Sequence, residues 1–175
     1  MDLLTHLFLP LTVVYVLRSE LFTHPAALAL AGFGLVPDFD KFLGHPGLLH
    51  SAVTIVPLCA VAILAERFWF DHSRYGPVIT WFVASHLVLD IVDGGPVPVL
   101  YPFFDQGLGL QYPARTVFGE GAAGVRIEGD VVSTRVVAPR SGFNTYTFID
   151  AEGVAWMLAF LVIFFGLAYQ DRTST

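Results

Sequence analysis

The chain has little charge, a single lysine and a single cysteine, and each scarcity excludes a class of protein. Charged residues make up 14% of its 175 residues, against about 25% in an average soluble domain, and its mean hydropathy is +0.66. This composition predicts an integral membrane protein. The net charge of −6 argues against a nucleic-acid partner, which would require a basic face. Cys59 stands in an apolar run, so we expect a small buried apolar residue and exclude a cysteine-based zinc site.

Five apolar segments organise the chain, and each is shorter than the roughly 20 residues of an ideal membrane-spanning helix. They cover residues 3–17, 26–36, 52–65, 78–92 and 154–169. The second, of 11 residues, is either a short helix buried in the bundle or a re-entrant segment. The expected fold is an all-α integral membrane protein with about five short transmembrane or membrane-embedded helices, which form a single domain over residues 1–175.

One connection is long and more polar than the rest of the chain. Residues 104–153 contain turn signals and more charge than the apolar segments. Within this stretch, GVRI and DVVSTRVV are rich in β-branched residues and flank Glu128-Gly129, a pattern that favours a β-hairpin. We therefore expect a small extramembrane segment, or lid, before the last helix.

The placement of basic residues predicts an orientation in the membrane. If all five segments cross, the loop between the second and third segments and the long connection share one side, together with the N-terminus. The basic residues of the opposite side are Arg18, Arg67, Arg74 and Arg172. Because positive residues favour the cytoplasm, the first side is predicted to face outward from an inner or plasma membrane.

The strongest functional signal is an ionisable pair inside the fourth apolar segment. His86 and Asp90 are four residues apart and share one helix face, which Asp93 extends by another turn. Insertion of a charged side chain at the centre of a membrane helix costs roughly 2.5–3.5 kcal/mol. A row of ionisable residues on one helix face therefore predicts a functional role. Imidazole and carboxylate are common metal ligands, which favours a metal site. A buried hydrogen-bonded pair and a proton relay are the alternatives.

A second polar cluster lies between the second and third segments, in the sequence PDFDKFLGHPGLLHS. It contains two carboxylates and two imidazoles, from Asp38, Asp40, His45 and His50. The alternative interpretation is a polar loop in which an aspartate caps a short helix. His6, this loop and the end of the fourth segment all fall on the predicted outer side. Their shared side favours a single site built from these groups.

Together these motifs resemble those of the membrane-bound metal-dependent hydrolases, the YdjM-like proteins of bacteria and archaea. The matching pieces occur in the order MDLLTH, LVPDFD, HPGLLHS, SHLVLDIVDGG and VLYPF. That family is distantly similar to zinc-dependent phospholipases C and single-strand nucleases, which are all-helical and hold a zinc cluster. The resemblance implies a central metal held by Asp38, His50, His86 and Asp90. It also implies that His6 binds a neighbouring metal, with the Asp90 carboxylate as the bridge.

The chain departs from the pattern of these enzymes in two ways. No histidine follows His86, so the resemblance implies one or two metal ions and not three; zinc is the expected ion, with manganese or iron as alternatives. The family often carries Arg and Thr where this chain has Pro46 and Leu49. Another group must then bind a phosphate, and the candidates in the long connection are Arg115, Arg126, Arg135 and Arg140.

The expected function is that of a membrane-bound metal-dependent hydrolase, in which a metal-activated water attacks the substrate. The expected substrate is a phosphoester of a lipid or of another membrane-proximal molecule, reached at the outer membrane face. Asp40 or Asp93 would act as the general base or orient the ligand histidines. The alternative function is a non-enzymatic metal-binding or proton-coupled membrane transport protein. No feature of the sequence predicts the oligomeric state.

Overall fold

The computed structural model describes residues 2–42, 45, 47–117, 124–127, 129–137 and 148–173, without the side chains of residues 116, 117, 171 and 172. Within this part the α-helices are α1 (Leu3–Leu17), α2 (Phe39–Phe42), α3 (Ala52–Phe70), α4 (Gly76–Val92) and α5 (Ala151–Thr173). Two 3-10 helices, Ser19–Phe22 and Pro25–Leu35, connect α1 to α2. The short helices between α1 and α3 bring the aspartates of the predicted loop next to α4.

Local chemistry fixes the ends of the helices. The carboxylate of Asp2 accepts hydrogen bonds from the first backbone N–H groups of α1, and the hydroxyl of Ser51 caps α3 in the same way. Helix α3 ends at Asp71, which adopts the left-handed conformation with φ of 55°. Pro77 stands in the first turn of α4, a position to which proline is well suited. With C-caps at Arg18 and Asp93, α1 and α4 contain 15 and 17 residues.

Two apolar clusters hold the helices together. Helix α1 packs against α5, α4 and the second 3-10 helix, and α4 also packs against α3. The larger cluster joins α1, α4, α5 and the two 3-10 helices through the buried side chains of Leu11, Tyr15, Phe22, Ala27, Ala31, Val78, Phe82 and Phe160. The smaller cluster joins α3 and α4 to the chain beyond α4 through Ile55, Cys59, Val83, Leu87 and Val97. The burial of Cys59 confirms its predicted role as a small apolar core residue.

Only part of the predicted membrane topology is supported. Among the described residues, two helices are long and apolar enough to cross a membrane, Ala52–Phe70 and Ala151–Gln170. Both expose most of their apolar surface, as lipid-facing helices do. Five transmembrane helices are not supported, because α1, α4 and the second 3-10 helix contain only 15, 17 and 11 residues.

The connection before α5 contains β-strands, so the fold is mostly helical and not all-α. The strands are β1 (Gln106–Leu110), β2 (Ala114–Val117), β3 (Gly124–Ile127) and β4 (Val132–Val136). β1 pairs antiparallel with β4, and β2 pairs antiparallel with β3. The predicted pairing of GVRI with DVVSTRVV is wrong, because these segments are β3 and β4 and each pairs with an earlier strand. Gly129 lies between β3 and β4 and has a φ of 96°, a conformation that glycine adopts without strain. Glu128 lies outside the described residues.

The β1–β4 pair docks on the C-terminal end of α4. Val97 and Leu108 exchange two backbone hydrogen bonds of 2.9 and 2.8 Å, and the Tyr112 hydroxyl donates to the Val92 carbonyl at 2.8 Å. A Cβ atom at Gly109 would lie 2.7 Å from the Gly95 carbonyl oxygen, so this close approach requires glycine. The strands therefore stand beside the end of α4 that carries Asp90.

The contact between α1 and α5 depends on Gly153, which faces the buried carboxylate of Asp2. A side chain at this position would collide with that carboxylate, which the backbone and hydroxyl of Thr5 already fix. We expect Gly153→Ala to lower the free energy of unfolding by about 1–3 kcal/mol. Gly166→Ala in the same helix is the matched control, because no atom lies within 4 Å of its added Cβ. In detergent, the unfolding temperature of Gly153→Ala should lie below that of wild type, and that of Gly166→Ala should equal or exceed it. The reverse order of unfolding temperatures would contradict this packing.

Candidate metal centre

Five side chains from four parts of the chain meet at one end of the helices. Helix α1 contributes His6, the segment before α2 contributes Asp38, and the residue before the α3 cap contributes His50. Helix α4 contributes His86 and Asp90, one turn apart as the sequence predicts. These are the five residues predicted as metal ligands, and we call them the His–Asp cluster.

The ring nitrogens of the cluster lie close to two carboxylates. His50 Nε2 is 3.5 Å from Asp38 Oδ1 and 3.3 Å from Asp90 Oδ2, and His86 Nε2 is 3.3 and 3.4 Å from the same two oxygens. His6 Nε2 is 3.1 Å from the other oxygen of Asp90. Two ligands that each lie about 2.0–2.2 Å from one metal ion are about 3–3.5 Å apart, so this spacing fits a shared ion.

The second nitrogen of two of the rings is fixed by a backbone carbonyl. His6 Nδ1 lies 2.9 Å from the carbonyl oxygen of Asp2, and His86 Nδ1 lies 2.6 Å from that of Gly34. A carbonyl oxygen can only accept, so Nδ1 must carry the proton in both rings. In the neutral imidazole, Nε2 then presents its lone pair to the cluster. A metal-binding histidine has this arrangement, with its outer N–H donated to a carbonyl or carboxylate.

Asp40 plays the corresponding part for His50. Its side chain is fully buried, and its Oδ2 accepts hydrogen bonds from His50 Nδ1 at 2.8 Å, Gly47 N at 2.9 Å and Leu49 N at 3.1 Å. The carboxylate thereby fixes both the loop and the ring. Asp40 stands behind His50, so its position favours the orienting role over that of general base.

The carboxylates of the cluster create a negative environment that favours positive charge among the histidine rings. Burial disfavours a charged His50, but the carboxylates of Asp38, Asp40 and Asp90 outweigh that penalty and raise its pKa to about 11. Burial would raise the pKa of Asp38, but its hydrogen bonds with His50 and His86 outweigh that effect and lower it. The buried Nε2 of His86 makes no hydrogen bond, although two carboxylates lie within 3.4 Å. A proton on Nε2, or a metal cation between these atoms, would offset the negative charge of the two carboxylates.

The cluster is reached from the side of its carboxylates. The side chains of His6, His50 and His86 are 4%, 9% and 0% exposed, whereas that of Asp38 is 33% exposed. The ammonium group of Lys41 contacts Asp38 Oδ1 at this edge. A ligand that enters from solvent therefore meets Asp38 and Lys41 before it meets the histidines.

The remaining predicted site residues are not among the five side chains of the cluster. Asp93 is exposed at the C-cap of α4, and His45 is exposed beside α2. Arg115 and Arg126 are opposite each other in the β2–β3 pair, and Arg135 is opposite Gly107 in the β1–β4 pair. Arg140 lies outside the described residues. The phosphate-binding role predicted for these arginines stays a prediction.

Sequence reasoning missed two residues that support the cluster. The first is Asp2, whose position as the N-cap of α1, one turn before His6, is a recognisable signal. The second is Gly34, where a Cβ atom would lie 3.1 Å from the His6 carbonyl oxygen and 3.6 Å from that of Phe82. The small residue lets the second 3-10 helix approach α1 and α4 closely enough to accept the His86 hydrogen bond. No local signal in the sequence predicts this contact.

Comparison with known proteins places the chain in a family. A family model described as YdjM inner membrane protein matches residues 1–173. The chain belongs to the YdjM inner membrane protein family. The match extends beyond the motifs of residues 1–104 through the strands and α5, and it agrees with the membrane character of the composition. No curated protein and no solved structure matches the chain.

In this YdjM-family protein, Asp40 should control metal affinity without binding metal. We expect Asp40→Asn to weaken binding of zinc about 10–100-fold, because the amide holds the His50 ring less firmly. The matched control is Asp71→Asn, which changes an exposed aspartate in the left-handed conformation that asparagine also tolerates. A zinc titration of both variants in detergent measures the difference. Equal affinity in the two variants would contradict the orienting role.

Proposed function

We propose that this protein is a membrane-bound metal-dependent hydrolase that cleaves a phosphoester of a lipid or of another membrane-proximal substrate. One observation carries the proposal: all three imidazoles of the His–Asp cluster donate Nδ1–H outward and direct Nε2 toward two carboxylates. This common orientation is the one that metal-binding histidines adopt, with the outer N–H held by a fixed acceptor. The orphaned Nε2 of His86 points to the same conclusion.

The ligand set favours one or two divalent ions, zinc first and manganese or iron next. It consists of imidazoles and carboxylates without thiolates, which suits these metals. Asp90 faces His6 with one oxygen and the other two histidines with its second oxygen, the arrangement of a bridging carboxylate. A bound divalent ion would supply a water of lowered pKa and polarise a phosphoryl oxygen.

The chain's own residues would position the substrate and accept the proton that the attacking water releases. The exposed edge at Asp38 leaves room for a phosphate group, and the Lys41 ammonium beside it would donate hydrogen bonds to the phosphate oxygens. Lys41 would thus fill the role of the arginine that this chain lacks at Pro46. Asp93, exposed one turn beyond Asp90, is the candidate proton acceptor.

The surroundings of the cluster favour a lipid substrate. Phe39 and Phe42, which flank Asp40 in sequence, are 57% and 86% exposed. Phe103 and Phe104 are also exposed, and their segment is fixed near the cluster because the Ser51 hydroxyl donates to the Tyr101 carbonyl at 2.6 Å. Exposed aromatic side chains at the rim of a polar site suit contact with a lipid headgroup region.

The transport alternative receives less support from the same residues. Transport of a metal ion or proton requires polar groups along the full depth of the helices. Between the cluster and the opposite end, the described parts of α1 and α4 meet mainly through apolar side chains, among them Leu11, Tyr15, Val78 and Phe82. The polar groups gather at one end, which favours chemistry at a membrane surface over passage through it.

The proposal is tested with His86→Gln and Asp90→Asn, each purified in detergent without chelators. We expect wild type to carry about one or two divalent ions, and both variants to lose metal together with at least about 100-fold of their hydrolysis of mixed phospholipid substrates. His72→Gln, which changes an exposed histidine beside Glu66, should retain both properties. Elemental analysis and the release of phosphorylated headgroups are the two measurements.

The outcomes separate the candidate functions. Metal loss together with loss of turnover supports the hydrolase. A protein that binds metal at the cluster but releases no product from any phospholipid class would sink the hydrolase and leave the metal-binding alternative. If both variants keep their full metal content and the unfolding temperature of wild type, the His–Asp cluster is not the metal site, and the proposed function is wrong.

A further inference from the structure

A cavity of about 480 Å³ lies at the opposite end of the molecule from the His–Asp cluster. It opens between the C-terminal end of α1 and the N-terminal end of α4. Its walls are largely apolar and include Val14, Leu17, Val78 and Trp81. The exposed residues Arg18 and Arg74 also line it, so the cavity combines an apolar interior with two guanidinium groups.

The cavity is a separate feature from the metal centre. No side chain of the His–Asp cluster lines the cavity. The lining residues nearest to the cluster in sequence are Val13, seven positions after His6 in α1, and Trp81, five positions before His86 in α4. At 1.5 Å per residue, these near edges are about 8–11 Å apart along the helices. A ligand in the cavity would therefore not touch the His–Asp cluster.

The charge at the cavity is positive on balance. Glu20 stands between the two arginines: its carboxylate pairs with Arg18, and its backbone carbonyl accepts a hydrogen bond from Arg74 Nη2 at 2.8 Å. The guanidinium of Arg74 also lies 5.4 Å from the centre of the Tyr75 ring. The Glu66 carboxylate accepts from the backbone N–H groups of residues 74–76, on the α3 side. The charged residues that line the cavity itself are thus the two arginines, of which Arg18 pairs with the Glu20 carboxylate and Arg74 binds the Glu20 backbone.

We propose that this cavity binds an anionic phospholipid, with its phosphate at Arg18 and Arg74 and an acyl chain against the apolar wall. Guanidinium groups bind phosphate oxygens through charge-assisted hydrogen bonds. Basic pockets between membrane helices are recognised by anionic headgroups, particularly on the cytoplasmic side. Arg18, Arg67 and Arg74 all lie at this end of the helices, and such a concentration of positive residues is typical of the cytoplasmic side, so the charge of the cavity suits an anionic lipid surface.

The first test is lipid retention, measured by native mass spectrometry of the full chain released from membranes of equal phosphatidylglycerol and phosphatidylcholine content. We expect phosphatidylglycerol to remain bound in preference, and the double variant Arg18→Gln/Arg74→Gln to reduce its retention at least about tenfold. Arg67→Gln is the matched control, because it removes an exposed arginine of α3 that does not line the cavity. His86→Gln should leave retention unchanged, which separates this site from the metal centre.

A second measurement locates the lipid. In a Trp69→Phe/Trp156→Phe background, Trp81 is the remaining tryptophan and lies on the cavity wall. Acyl-brominated phosphatidylglycerol should quench its fluorescence more strongly than acyl-brominated phosphatidylcholine at the same mole fraction, and Arg18→Gln/Arg74→Gln should abolish the difference. Equal quenching by the two lipids, equal retention of both, or an equal loss in Arg67→Gln would overturn the proposal.

Discussion

The outward hydrogen bonds of three histidines are the constraint on which the rest of the structure depends. His6, His50 and His86 each donate Nδ1–H to a fixed acceptor. Nε2 of His50 and of His86 therefore faces Asp38 and Asp90, and Nε2 of His6 faces Asp90. The acceptors come from separate elements: the N-cap of α1, the start of α2 and the second 3-10 helix. The cluster keeps its geometry only while these elements stay packed, so the geometry of the site depends on the tertiary fold.

The cluster also explains an unusual balance of polarity. A chain in which 14% of residues are charged nevertheless buries Asp40 and three imidazoles at one end of its helices. Burying charge without a partner costs several kcal/mol, and the network of hydrogen bonds offsets only part of that cost. The proposed divalent cation would link α1, α4 and the loop before α3, so its binding would be coupled to the stability of the fold.

Sequence reasoning reached the site more closely than the architecture. The four-residue spacing of His86 and Asp90 predicts a shared helix face, because helical periodicity depends on local geometry alone. The approach of His6 and Asp38 rests on tertiary packing; the predicted shared membrane side favoured it, and the resemblance to a known family implied the individual ligands. The spans were overcounted because short apolar segments were counted as crossings, although an apolar helix of 11–17 residues can equally be a core helix. The strand pairing was wrong because β-branched segments indicate strands but do not specify partners.

The most direct test of the central claim is the position of a bound ion, measured by anomalous diffraction at the zinc edge from crystals grown with zinc. The account predicts an anomalous peak within about 2.0–2.2 Å of Nε2 of His50 and His86 and of a carboxylate oxygen of Asp38 and Asp90. A second peak between His6 and Asp90 would show a second ion, bridged to the first by the Asp90 carboxylate. Crystals with no anomalous density at the cluster under saturating zinc, and with the histidines hydrogen-bonded directly to the carboxylates, would contradict it.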